Sequence, residues 1–198
     1  MSNQQQSNEE VVISQTKRWL ETVVIGLNFC PFAGREFRKG TVRYSVLPSA
    51  DPEEILVRLA LELQRLDDHP EIETTLIILP NQLPDFNKYL DIIDLCQDLL
   101  EEEGYEGVYQ IASFHPSYLF ARSAESDPAN YTNRSPYPMI HILREASITK
   151  ALENFPDAEG IPERNIALAN EKGLDLMRAM WKNCFEDTNS KPGQEDNS

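Results

Sequence analysis

Apolar positions first recur at helical spacing between Val11 and Leu27, where Val12, Trp19, Leu20, Val23, Val24 and Leu27 form one stripe. Gly26, Asn28 and Pro31 stop that helix. The period changes over Thr41–Leu47, where Val42, Tyr44 and Val46 alternate with Arg43 and Ser45, so a strand with one drier face is expected. Asp51-Pro52 then opens a second helix as N-cap and first helical residue, with Ile55, Leu56, Leu59, Ala60, Leu63 and Leu66 on its apolar face. The continuously apolar run Thr74–Pro80 reads as a strand buried on both faces. A helix from about Asp85 to Gly104 follows, and Val108–Phe114 makes a third strand. Strands joined through helices imply right-handed crossovers and a mainly parallel small sheet, β-α-β-α-β. Met139–Phe155 and the stretch from Pro162 to Cys184 are read as extra C-terminal helices. The expected fold class is therefore α/β, a single domain over 11–185 flanked by disordered polar tails at 1–10 and 186–198.

Between the third strand and the next regular element lies a long irregular stretch within Gln110–Glu145. It is rich in aromatics, which disordered chains lack, so it reads as an ordered loop that builds a site. All three strands close in a similar way, Leu47-Pro48-Ser49, Leu79-Pro80-Asn81 and Phe114-His115-Pro116, and the loop leaves from that rim. Ligands of open parallel sheets bind at that end of the strands. His115 is the leading candidate for acid–base chemistry, because a histidine there can titrate near neutral pH, with a structural histidine hydrogen-bonded to the loop backbone as the competing reading. His141 is read as helical, near Arg144 and Glu145. Arg134, set among Asn133, Ser135, Pro136 and Tyr137 with few acids close in sequence, suits a ligand carboxylate or phosphate, with pairing to a distant acid as the competing reading. Cys30 is the only cysteine outside the helical stripes; a Cys–His pair and simple burial between Phe29 and Phe32 are both open.

The net charge of −15 argues against nucleic acid as partner. That charge is uneven: Asp51–Glu106 carries sixteen acids against Arg58, Arg65 and Lys88, whereas Asn28–Arg43 is basic through Arg35, Arg38, Lys39 and Arg43. A small anionic ligand is the expected partner, with Arg134, Asn133, Tyr137, Arg144 and Arg35 binding it. Three scattered cysteines and no apolar run of membrane length suit the cytoplasm. No GxGxxG or GxxxxGK(S/T) phosphate loop is present, so a nucleotide cofactor held in that way is not expected, and the cofactor is otherwise unknown.

The motifs NFCPFAGRE, ASFHPSY and NRSPYPMIHILREAS together resemble the family catalogued as domain of unknown function 1415 over roughly Val11–Lys182. The resemblance implies a bacterial, cytoplasmic protein and brings no catalytic assignment. The functional expectation is a small-molecule enzyme, hydrolytic or group-transferring, with His115, His141 and Cys30 as catalytic candidates. Its alternatives are a non-catalytic module that binds a ligand in the same pocket, a metal-dependent enzyme with His115 and His141 as ligands, and a scaffold whose acidic helices hold a basic protein. The first three need 29–43 and 115–145 to share one concave pocket.

Overall fold

The chain alternates helix and strand until the third strand, then departs from that rhythm. The structure is a computed structural model and describes residues 3–153, 155 and 157–186. Helix α1 spans Asn3–Trp19 and continues as a π-helical segment, Leu20–Ile25. After α2 (Ala33–Lys39) come β1 (Val42–Val46), α3 (Pro52–Asp68), β2 (Thr74–Ile78), α4 (Phe86–Glu102) and β3 (Tyr109–Phe114). A 3₁₀ turn at Pro128–Thr132 lies within the loop, and β4 (Met139–Arg144), α5 (Glu145–Glu153) and α6 (Ile161–Asn183) complete the order.

The local signals act as expected in the middle of the chain. Asp51 caps α3 by accepting the Glu53 N–H at 3.0 Å, and Asp85 caps α4 through Asn87 and Lys88. Gly40 ends α2 in the left-handed region at φ 71°, which a side chain would resist. A second such glycine, Gly173 at φ 78°, breaks α6.

The sheet runs β1-β2-β4-β3 and is mixed, a correction to the mainly parallel expectation. β1 and β2 pair in parallel, while β4 is antiparallel to both neighbours. Helices α3 and α4 each carry the chain back across the sheet, so β1, β2 and β3 point the same way. The irregular segment 115–138 makes no such crossing. It returns at the end where β3 finished, and the next strand must run the other way. Met139–Arg144, expected as the start of a helix, is that strand, and the helix begins only at Glu145.

Alternation along the strands divides the core in two. Ile77, Leu79, Ile140 and Ile142 face α3 and α4 with Ile55, Leu59, Tyr89 and Ile93. Leu76, Ile78 and Met139 face Val12, Trp19, Val23, Ala169 and Met177 of α1, its π-helical extension and α6. The product is a three-layer α/β/α arrangement. Residues 3–10, part of the 1–10 stretch expected as a disordered tail, form the first turns of α1; of the tail expected at 186–198, residues 187–198 lie outside the described residues.

Candidate functional site

His115 leaves the end of β3 toward α4 and is 1% exposed. Its ring lies 5.2 Å from that of Phe86 and 4.9 Å from that of Tyr89. The Ser117 N–H donates to Nδ1 at 3.0 Å, so Nδ1 is the acceptor; Nε2–H donates to the Leu83 carbonyl at 2.9 Å. Both nitrogens are spent on a neutral ring. Burial lowers its pKa, opposed in part by the Leu83 carbonyl and Asp85. The contact pins residue 83, a leucine at φ 46° that carries a real conformational cost.

The loop is ordered, and Arg134, Asn133 and Tyr137 are hydrogen-bonded within the fold. Arg134 donates from Nε to the Tyr118 carbonyl at 3.2 Å and from Nη2 to that of Glu125 at 3.1 Å, with its guanidinium over the Tyr131 ring. Among the described residues no carboxylate pairs with it. Asn133 donates to the Ser113 carbonyl and accepts from Thr132, and the Tyr137 hydroxyl donates to Gln15 on α1. The two tryptophans close the loop from outside: Trp19 Nε1–H donates to the Arg134 carbonyl at 3.0 Å and Trp181 Nε1–H to that of Ser135 at 2.9 Å. Arg144 points to the other end of the sheet. Its fork donates to the carbonyls of Leu66, His69 and Ile72, capping α3, and to the Tyr109 hydroxyl.

His141 is placed quite differently. Strand alternation puts it on the α1/α6 face, opposite Leu76 and beside Phe114, whose ring is 5.8 Å away. His115 is on the α3/α4 face. The expected shared pocket, the metal alternative using both histidines and a Cys30–His115 pair all fail on this point, because the sheet lies between them. Cys30 packs into the α1/α6 cluster, on the His141 side, and is half-buried. Arg35 stays 70% exposed on α2 with a contact to Glu36 at 3.3 Å.

One imidazole nitrogen of His141 is fixed and the other is not. Thr74 Oγ1 has a single proton, given to the Ile142 carbonyl at 2.6 Å. It must therefore accept from His141 Nε2–H, at 2.7 Å. The lone pair is thus on Nδ1, which meets no hydrogen-bond partner among the described residues. Burial pushes the pKa down to about 4, and the ring stays neutral at physiological pH.

A polar cluster that the sequence reading passed over sits between α3 and the edge strand β1. Glu62, 2% exposed, accepts Arg43 Nε at 2.6 Å, Arg43 Nη2 at 3.0 Å and Ser45 Oγ at 2.9 Å. Burial alone would raise its pKa, but Arg43, Ser45 and Arg65 hold it below the usual carboxylate value. The signal was available: residue 62 falls on the 55-59-62-66 stripe, so a glutamate there had to be paired.

Among the described residues, no group of three His, Cys, Asp or Glu could hold a metal, and no helix is long and apolar enough to cross a membrane. No curated protein and no solved structure matches the chain. Residues 11–179 match the model of the family described as "Protein of unknown function (DUF1415)", and the chain belongs to that family.

Proposed function

We propose that the protein is a small-molecule enzyme, hydrolytic or group-transferring, whose working base is His141 rather than His115. The observation that carries this reading is the His141–Thr74–Ile142 chain of hydrogen bonds. It fixes the tautomer and ring orientation and leaves Nδ1 free to take a proton. In the reaction Nδ1 accepts the proton of an attacking water or hydroxyl and returns it to the leaving group. An imidazole of pKa about 4 is a weak base, so its contribution falls near the lower end of the range, about 10²-fold. Cys30 lies on the same side of the sheet, and the basic Arg35–Lys39 run of α2 favours an anionic substrate there.

The test is turnover of a panel of aryl phosphates, acyl phosphates and anionic esters by the wild type and by His141→Gln, whose amide still donates to Thr74. A loss of about 10² in kcat is expected, with the unfolding midpoint held. Equal turnover by the variant would sink the assignment. Stabilisation by one of these ligands without any product would favour the second reading, a non-catalytic binding module.

A further inference from the structure

We infer that the outer edge of β1 carries a second ligand site, on the opposite face of the sheet from His141, that binds the phosphoryl dianion of a small molecule. Arg43 and Arg65 meet there on one carboxylate, Glu62, and Arg58 is tied to the same carboxylate only through Ser45. The cluster keeps two positive charges in excess inside a protein of net charge −15, and Arg58 and Arg65 are two of only three cations between residues 51 and 106.

The cluster is built rather than incidental. Ser45, 3% exposed, donates to Glu62 and accepts from Arg58 Nη1 at 2.9 Å; the same nitrogen reaches the Val46 carbonyl at 3.4 Å. Glu62 holds Arg43 with a two-point fork, and Arg65 Nε approaches the same carboxylate at 3.6 Å. The interior contacts fix the guanidinium stems. Arg58 Nε and Nη2 and both Nη atoms of Arg65 meet no acceptor among the described residues. Arg58 and Arg65, seven positions apart, share one flank of α3, so these N–H groups face the same side.

A further unpaired donor lies one strand inward, beside Arg43. Thr75 Oγ1 is the one buried side-chain oxygen or nitrogen without a hydrogen-bond partner among the described residues. Thr75 is 0% exposed and is the register partner of Arg43 on the α3 face of the sheet. A tetrahedral dianion matches this set: two charges to neutralise and several oxygens for guanidinium forks.

The experiment is calorimetric titration of the full chain with inorganic phosphate at pH 8 and constant ionic strength, with chloride and acetate as comparison anions. Saturable phosphate binding is expected, at least tenfold tighter than acetate and absent for chloride. Arg58→Gln and Arg65→Gln should each weaken it at least tenfold. Both leave the Arg43–Glu62 pair intact, and circular dichroism verifies that each variant folds. Arg122→Gln, in the loop, should bind like the wild type, as should His141→Gln, which separates this site from the proposed catalytic one. Phosphate affinity unchanged in both arginine variants, acetate binding as tight as phosphate, or no saturable heat at all would overturn the inference.

Discussion

Replacing His115 by alanine separates a structural from a catalytic role for the residue the sequence favours most. The side chain is 1% exposed and makes two hydrogen bonds, to Leu83 and Ser117. Leaving that carbonyl and that N–H unpaired costs about 1–3 kcal/mol each. Losing the ring contacts with Phe86 and Tyr89 adds about 0.5–1.5 kcal/mol apiece. Water entering the vacated space recovers part of this, so a net loss of about 4 kcal/mol is expected. For a domain of this size that lowers Tm by about 10 °C. His115→Asn keeps an acceptor near Nδ1 and should recover part of the loss. Urea unfolding followed by circular dichroism reads the difference. An unfolding free energy within about 0.5 kcal/mol of wild type, together with lost turnover, would refute the structural role and restore His115 to chemistry.

Glu62→Ala strands the Arg43 guanidinium; because Arg43 is about a third exposed, the cost should fall at the low end for a broken buried pair, about 3 kcal/mol. In urea unfolding, the double change Arg43→Leu/Glu62→Leu should recover most of it. Arg144→Lys loses the fork that holds the Leu66 and His69 carbonyls at the end of α3 and the Ile72 carbonyl beyond it, and should cost about 2 kcal/mol in the same assay, with faster amide exchange confined to that end of the helix. Burial lowers the pKa of both His115 and His141, so the unfolded chain binds more protons than the folded one in mild acid. Stability should be full above pH 6.5 and decline as pH falls toward 4, with His141 contributing at most about 3 kcal/mol of the loss. Diethyl pyrocarbonate followed by peptide mass spectrometry should label His69 and His141 while His115, buried with both nitrogens bonded, stays unmodified.

The middle of the chain was legible because caps and periodicity agree there. Asp51-Pro52 and Asp85 start their helices, and Thr74–Ile78, fully buried, is the apolar run its composition indicated. Met139–Arg144 was not legible as a strand. Its apolar residues fit either period, and only its place between β2 and β3, a long-range fact, selects extension. That single misreading moved His141 from a helix near His115 to the far face of the sheet. Arg134 misled for another reason: few acids adjoin it in sequence, but backbone carbonyls across the loop satisfy it, and no local pattern reveals those. The ordering of the loop was foreseeable from its aromatics, whereas the role of Trp19 and Trp181 in holding it required the packed structure.

The claim on which the functional account rests is that His141 is a neutral, fixed imidazole with its lone pair on Nδ1. Nitrogen-15 NMR of the histidine side chains across pH reads this directly. The account predicts a proton on Nε2, none on Nδ1, and a titration midpoint near 4. A proton on Nδ1, or a midpoint at the ordinary histidine value of 6.5, would contradict it.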